Sequence, residues 1–434
     1  MKFYLDTIGC RLNQAEMERM AQELRHAGHE IVSTPQEAEM AIVNTCAVTV
    51  EAASDSRNRI RHIARAGTAQ IVATGCWATL EPHQAAALPA VAQVIPNQRK
   101  DGLVAEILNL PAEIFEREPL QREPLPGLRM RTRAFLKVQD GCNNHCTFCI
   151  TTLARGAARS YPIEEVVRRI QAAVESGTKE VVLTGVHLGS WGKEWGLHLR
   201  HLIQAILQDS DLPRLRLSSL EPWDLDEAFF RLWENPRLCR HLHLPLQSGS
   251  RSVLRRMARK TTPESFRELV RAARAVVPEM AITTDIIAGF PGESEEEFRQ
   301  SLAFLEEMEF AGGHVFTYSS RPGTAATRLP NQVPPEIRKQ RNAAYRALFA
   351  RQAEAYRQRF IGHTEEVLWE SILERSAQGW QLEGLGSHYL RVRAYADRPL
   401  WNEISHVQIT QVQGEALGGH ILPQELSIPS KNRL

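Results

Sequence analysis

The sequence predicts an α/β protein in three parts: an amino-terminal parallel α/β domain, a central open (β/α)6 partial barrel, and a small antiparallel β-barrel at the carboxyl end. Three observations predict it. Strand-like apolar runs alternate with amphipathic helical stretches through the first hundred residues and again from about 134 to 330, as parallel strands joined by helical crossovers do. Beyond residue 361 the chain turns to polar–apolar alternation between Gly-bearing turns. A length of 434 residues exceeds one ordinary domain, while 43% hydrophobic and 24% charged residues are ordinary for a globular chain.

The first domain, 1–110, is read from KFYLDTIGC, MAIVNTC and QIVATGC, three runs that each end on a cysteine, with helix-like segments at about 13–27 and 51–66 between them. Parallel strands share a direction, so their carboxyl ends line one sheet edge. Cys10, Cys46 and Cys76 are therefore expected to converge. Residues 111–133 read as a linker with four prolines and then Arg129, Arg131 and Arg133. The barrel, 134–330, has strand candidates AFLKVQ, EVVLTGV, RLRLSSL, HLHLPL, AITTDII and HVFTYS, with helices such as 162–177, 262–276 and 294–308. Six units make an open barrel, and an open side suits a bulky substrate. A connector, 331–360, follows Pro330, Pro334 and Pro335; its helix-like part carries seven Lys/Arg against two Glu. The last module, 361–425, holds EEVLWES, GWQLEGLGSHYLRVRA and ISHVQITQVQG.

Composition narrows the setting. No apolar run approaches the eighteen or so residues of a membrane span, and MKFYLDTIGC lacks a signal peptide's charged head and long apolar body, so a cytoplasmic protein without a membrane partner is expected. Seven cysteines, an odd number for a reducing compartment, favour metal ligation or thiol chemistry over disulfides. A net charge of +1 names no partner, so local charge must; the basic connector and the terminal β module are the candidate nucleic-acid contacts.

Three of the cysteines crowd into DGCNNHCTFCI. A C-x3-C-x2-C loop after a strand can bring Cys142, Cys146 and Cys149 to three corners of an iron–sulfur cube and leave the fourth iron open. A zinc knuckle completed by His145 is the alternative. The loop stands at the carboxyl end of the first barrel strand, where barrel enzymes place their active sites. The same polarity puts Thr184, Gly185, Glu221, Gln247, Ser248 and Asp285 at the rim, each also compatible with a turn or cap. It puts Cys239, which precedes HLHLPL, at the opposite face as a structural thiol. Arg155 and Arg159 follow the loop as substrate candidates, and Trp191 in GSWG reads as a lid or a surface turn.

CNNHCTFC resembles the cluster loop of radical S-adenosylmethionine enzymes. That resemblance implies a [4Fe–4S] cluster whose free iron chelates S-adenosylmethionine and whose electron splits the sulfonium into a deoxyadenosyl radical. It places Phe148 against the adenosine and the six rim residues around the S-adenosylmethionine pocket. The TIGC, NTC and TGC contexts together with this loop and the terminal module resemble the methylthiotransferase family, which implies a second [4Fe–4S] cluster on Cys10, Cys46 and Cys76 that carries the sulfur. The family usually shows a denser Gly/Arg pattern where LARGAARSYP stands here. Residues 361–424 resemble the TRAM module, an RNA-binding barrel, through GHTEEVLWES and ISHVQITQVQGEALGG, with Trp369 where a smaller aliphatic is expected.

Among the family's branches, TIGCRLNQAEMERM, CRHLHLPLQSGS and FTYSSRPGTAA most resemble the one that methylthiolates C2 of N6-threonylcarbamoyladenosine at tRNA position 37. The others act on isopentenyladenosine in tRNA or on an aspartate of a ribosomal protein. The resemblance implies a tRNA anticodon loop as partner and a reductant such as flavodoxin or ferredoxin. A non-catalytic, metal-stabilised RNA-binding protein is the rival class. The adenine C–H is neither acidic nor readily displaced, so radical chemistry suits it better than acid–base groups alone.

Overall fold

Strand pairing builds the amino-terminal domain from β1 (Lys2–Thr7), β2 (Glu30–Val32), β3 (Met40–Thr45), β4 (Gln70–Gly75) and β5 (Val91–Ile95), all parallel in the order β2-β1-β3-β4-β5. A parallel sheet is covered on both faces, and Ala41, Ile42 and Val43 in β3 are accordingly all buried. Helices α1 (Arg11–His26) and α2 (Val50–Arg65) are the crossovers, with short α3 (Cys76–Leu80), α4 (Pro82–Ala86) and α5 (Leu103–Leu108) after β4. The computed structural model describes residues 1–115 and 132–423; Arg129 and Arg131 of the linker and residues 424–425 of the last module lie outside them.

The central domain opens with β6 (Arg133–Lys137), then β7 (Gln139–Asp140), the cysteine loop, α6 (Thr151–Arg155) and β8 (Arg159–Ser160), which pairs antiparallel with β7 and so closes the loop's base. The series continues as α7 (Ile163–Glu175), β9 (Glu180–Thr184), α8 (Leu199–Asp209), β10 (Arg214–Leu217), α9 (Glu227–Phe230), β11 (His241–His243), α10 (Arg251–Arg256), α11 (Pro263–Val276), β12 (Ala281–Ala288), α12 (Glu295–Met308) and β13 (Gly312–Thr317). Two parallel three-stranded sheets, β10-β9-β6 and β11-β12-β13, meet through parallel bridges Leu215–Leu238 and Ser219–His243. This is the six-stranded open barrel the sequence predicts. Capping boxes at Thr262/Ser265 and Ser294/Glu297 start α11 and α12.

Alternation along the strands sorts the barrel's two faces. Leu215, Leu217, Leu242, Ile282 and Ile286 pack outward into the main core, so Arg216, His241, His243 and Asp285 face inward. The interior is thus polar. Where β6 and β9 turn Phe135 and Val182 inward, Ala15 of α1 covers them, so the amino-terminal domain partly fills the open barrel.

Helix α13 (Pro335–Gln358) lies against β13, with the Phe349 ring so close to Gly313 that a Cβ there would stand 2.5 Å from it. Its cations are largely engaged in holding the barrel: Arg341 pairs with Glu293 at 2.8 Å, Arg359 with Glu309 at 2.7 Å, and Arg338 donates to the Tyr318 carbonyl at 2.9 Å. The basic run is therefore first a packing element, with Lys339 and Arg346 left exposed. The last module closes β14 (Thr364–Ser376), β15 (Gly379–Gly386), β16 (Arg391–Ala396), β17 (Ile404–Gln413) and β18 (Ala416–Ile421) into a barrel in the order β14-β15-β16-β18-β17. Trp369 fits its core because Ser405 Oγ accepts the indole N–H at 3.0 Å.

A buried ion cluster docks this module on the amino-terminal end of the open barrel. Glu180 pairs with Arg216 at 2.6 Å and Arg214 at 2.8 Å. The two guanidinium groups donate onward to the carbonyls of Leu385, Gly386 and Ser387 at 3.0–3.1 Å. Cys239 is buried beside Glu180, its Sγ 3.9 Å from the carboxylate. Burial alone raises the Glu180 pKa, but Arg216 and Arg214 outweigh it and hold it at about 2. Because the folded value is depressed from 4.5, the stability this carboxylate contributes is present above pH 4.5 and is lost as pH falls toward 2. Glu180→Gln leaves two buried arginines without their charge partner, so a loss of about 3–5 kcal/mol in urea unfolding is expected, with a shallower stability-versus-pH slope between those values.

Candidate functional site

Because β1, β3 and β4 are neighbours, their carboxyl ends bring three cysteines to one edge. Cys10 is the N-cap of α1, Cys46 follows β3 directly, and Cys76 opens α3. The glycines before two of them are required. Gly9 has φ +108°, and a Cβ on it would stand 2.8 Å from Cys46 Sγ; Gly75 has φ +93°, and a Cβ on it would strike the Thr45 carbonyl at 2.3 Å. Cys10 is exposed, whereas burial pushes the Cys46 thiol up to about 11, and the neighbouring thiols act in the same direction. Asn97 Nδ2 points a donor at Cys76 Sγ from 3.7 Å.

Thiolates in such a place need positive charge nearby, and a buried network supplies it. Glu16 of α1 receives Lys100 at 2.8 Å, Arg155 at 2.9 Å and Lys137 at 3.5 Å. Arg155 also reaches Asp140 at 2.9 Å and Asn13 at 2.8 Å, and its charge is felt at both Cys10 and Cys76. Arg159 pairs with Asp101 and Asp140 at the network's half-exposed rim. Burial alone raises the Glu16 pKa, yet Arg155, Lys100 and Lys137 hold it well below the usual carboxylate range. The two arginines are thus committed to ion pairs that join the first domain to the barrel. Lys100, Lys137 and Glu16 were missed by the sequence reading; the available signal was Glu16 on the apolar face of α1, beside buried Leu12, Asn13, Met17 and Met20. A cleft of about 690 Å3 on the network's far side is lined by Arg19, Glu23 and Tyr161, and none of the cysteines reaches it.

The second triad sits in the loop closed by β7 and β8. Gly141 has φ +68°, and a Cβ there would stand 1.9 Å from the Ala157 carbonyl oxygen. Backbone N–H groups of Asn144 and Thr151 donate to Cys142 Sγ and Cys149 Sγ at 3.4 Å, and Arg259 stands 3.8 Å from Cys146 Sγ. Burial raises Cys149 and takes Cys146 to about 11. At Cys142 burial is outweighed by His187, whose Nδ1 is 3.9 Å from Sγ and which lowers the thiol pKa. His187 is in turn held by Asp224, which overrides burial and raises its pKa to about 9.

Among the described residues, only His243, Asp285 and His314 bring three ligand atoms within 4.8 Å of one another. A tetrahedral zinc needs sulfurs about 3.8 Å apart, given Zn–S bonds of about 2.3 Å. Neither cysteine triad gathers its three sulfurs that closely, and His145, the fourth ligand a zinc knuckle would need, is exposed. Three thiols with no fourth protein ligand are the donor set that an iron–sulfur cube with one open iron takes.

The loop after β13 connects the triads. Ser319 Oγ accepts the Val50 N–H at 3.3 Å, buried Arg321 carries its charge toward Cys46, and Ala326 N–H donates to the Thr147 carbonyl inside the second triad at 2.8 Å. One loop therefore touches the surroundings of both sets of cysteines. Arg321, with a partnerless buried Nε, went unread; its signal was a cation just past a strand's carboxyl end.

The rim residues divide. Glu221 pairs with Arg259 at 3.1 Å and its charge reaches all three loop cysteines. Phe148 meets Phe290 edge-on at 6.4 Å. Asp285 lies between His243 and His314, 3.2 Å from each, and these outweigh burial to hold its carboxyl below the usual range. Gly185 has no room for a side chain, a Cβ standing 2.9 Å from Gln139 Oε1. Thr184 and Ser248 turn to local backbone: Thr184 Oγ1 donates to the Leu136 carbonyl and Ser248 Oγ accepts the Ser250 N–H. Gln247 adopts φ +77°, bridging to Ile286. Trp191 is neither lid nor surface turn; it is fully buried, with its indole N–H on the Tyr161 carbonyl at 3.0 Å.

Residues 136–305 match the radical SAM superfamily, and residues 2–96 match a family described as uncharacterized protein family UPF0004. A Thermotoga maritima protein named threonylcarbamoyladenosine tRNA methylthiotransferase MtaB is 38% identical over 89% of this chain and 90% of that protein. A Bacillus subtilis protein of the same name is 34% identical over 93% and 92%. An Erythrobacter litoralis tRNA-2-methylthio-N(6)-dimethylallyladenosine synthase is 32% identical over 85% and 86%. Among solved structures, the radical S-adenosylmethionine methyltransferase TsrM of Kitasatospora setae shares the fold, with a TM-score of 0.58 at 16% identity over 75% of this chain and 76% of that one.

The strain at Gly9 is testable. Gly9→Ala should displace Cys46 at a cost of about 1–3 kcal/mol and abolish iron loading at the amino-terminal triad, while Gly28→Ala, with φ +80° but nothing within 4 Å, keeps it. Iron analysis after anaerobic reconstitution reads the difference.

Proposed function

The chain belongs to the methylthiotransferase family of radical S-adenosylmethionine enzymes, and we propose that it methylthiolates C2 of N6-threonylcarbamoyladenosine at tRNA position 37, beside the anticodon. The observation that carries this reading is the pair of three-cysteine sites linked by the loop from Ser319 to Ala326, which we read as two walls of one chamber. Each triad would hold its cluster by three thiolates and leave one iron for a further ligand, S-adenosylmethionine at one site and sulfur at the other. When bound, the two clusters and S-adenosylmethionine supply the radical and the sulfur for an unactivated C–H.

The chain's own residues bind and orient. Cys142, Cys146 and Cys149 would hold the radical cluster, and Cys10, Cys46 and Cys76 the auxiliary one, with Lys100 and Arg155 offsetting its negative charge. Phe148 would lie against the adenosine of S-adenosylmethionine, and Glu221, Gln247, Ser248 and Asp285, with the strand end at Thr184 and Gly185, would line the remaining pocket. The target base enters flipped from a single-stranded loop. The module at 361–425, with Lys339 and Arg346 of the 331–360 connector, meets the tRNA; the 1–110 and 134–330 units, joined by 111–133, frame the chamber. Among the described residues no helix is long and apolar enough to cross a membrane. We place the enzyme in the cytoplasm, reduced by a partner such as flavodoxin or ferredoxin.

Nucleoside mass spectrometry of tRNA from a deletion strain tests the assignment. The methylthio-threonylcarbamoyl nucleoside should vanish while its isopentenyl counterpart persists; the reverse pattern would assign the isopentenyladenosine branch, and no change in either would remove tRNA from consideration. In reconstituted enzyme, alanine at Cys142, Cys146 and Cys149 should abolish S-adenosylmethionine cleavage. Alanine at Cys10, Cys46 and Cys76 should leave cleavage and stop methylthio transfer.

A further inference from the structure

The inner wall of the open barrel carries counter-charges for its cations. Arg214 and Arg216 share Glu180, Arg133 lies 2.6 Å from Glu370, and His243 and His314 flank Asp285. Arg11 differs. It follows Cys10 directly, and α1 carries it toward the barrel interior, where its charge opposes protonation of both His241 and His314. Its guanidinium donates to the Tyr389 hydroxyl and lies 5.4 Å over that ring, and among the described residues no carboxylate is within ion-pairing distance of it.

The surroundings are built for a ligand. Tyr389, from the turn between β15 and β16, adopts φ +63°, a conformation a bulky side chain rarely takes without cause. It stacks on His241 at 4.3 Å and 15°. His241 is fully buried, and its Nδ1 has no hydrogen-bond partner. On β13, His314 and Phe316 belong to the barrel's inner face yet stay exposed, so the interior is open to an incoming group beside them.

We propose that Arg11, with Tyr389 and His314, forms a carboxylate-binding corner that receives the threonyl carboxylate of the N6 substituent and so selects the modified adenosine. The corner rests on the reading of N6-threonylcarbamoyladenosine as substrate. An arginine fork with free donors matches a carboxylate in two places. A neutral prenyl group would leave that cation desolvated and unpaired, and sites that pair with a substrate polar group reject analogues lacking it. Because Arg11 adjoins Cys10, a substituent anchored there keeps the adenine ring beside the sulfur-carrying triad. One residue from each of the three domains completes the corner.

The test uses reconstituted full-length enzyme and anticodon stem-loops bearing threonylcarbamoyladenosine, its methyl ester, or isopentenyladenosine. The native enzyme should favour the acid over the ester by roughly ten- to a hundredfold in kcat/KM, the range a charged hydrogen-bonded contact sets. Arg11→Gln should erase that preference, chiefly through KM for the acid, and Arg11→Lys should restore part of it. Tyr389→Phe should weaken it less, with iron content unchanged throughout. Equal use of acid and ester by the native enzyme overturns the corner while leaving the substrate intact. So does a preference that survives in Arg11→Gln. Should Arg11→Gln lose iron, the acid-to-ester ratio of the native enzyme decides. Turnover of the isopentenyl loop alone would instead overturn the substrate, and the corner with it.

Discussion

The contact on which the rest depends is the buried carboxylate of Glu16 among Lys100, Lys137 and Arg155. Two of these cations belong to the barrel side and one to the amino-terminal domain, so the network fixes how two separately folded units meet. Burying so many charges is expensive, and a hydrophobic interface of equal size would be no less stable. Its value is registry. Glu16, Asn13 and Arg155 lock α1 over the barrel opening, which holds Cys10, Cys46 and Cys76 opposite the loop at Cys142 to Cys149. The same cations lie close enough to Cys76 to favour a negatively charged cluster there.

A second buried network does for the carboxyl-terminal barrel what Glu16 does for the first domain. Arg214 and Arg216 point from the barrel strands into the carbonyls of the turn at 385–387, and that turn presents Tyr389 to the barrel interior. A module docked in this way can contribute directly to the barrel interior. Docking and the proposed substrate choice then share residues within one turn, and Arg11, one step from Cys10, closes the circuit through the Tyr389 hydroxyl.

The part of this organisation legible in the sequence is what strand polarity dictates. Parallel strands must end on one edge, so TIGC, NTC and TGC converge, and the glycines of TIGC and TGC mark the close approaches that demand them. The six barrel strands and the terminal barrel followed from hydrophobic period alone. Pairings between residues far apart in sequence stayed hidden, since nothing local to Arg155 announces Glu16 139 positions away. Trp191 was misread because a Gly-flanked tryptophan looks like a turn, whereas its indole fills the core and satisfies its donor on Tyr161. The strand Glu30–Val32 was too short to show a period at all. Arg11 stands within TIGCRLNQAEMERM, but its proposed partners Tyr389 and His314 lie far away in sequence, so nothing local to Arg11 announces the corner.

Whether the two cysteine triads border a single chamber can be measured directly by electron paramagnetic resonance of the doubly reconstituted, fully reduced enzyme. Clusters facing each other across one substrate site should give mutually broadened, spin-coupled signals that resolve into a single simple spectrum when Cys76→Ala removes the auxiliary cluster. Native enzyme whose spectrum is the plain sum of two independent clusters would contradict the shared chamber.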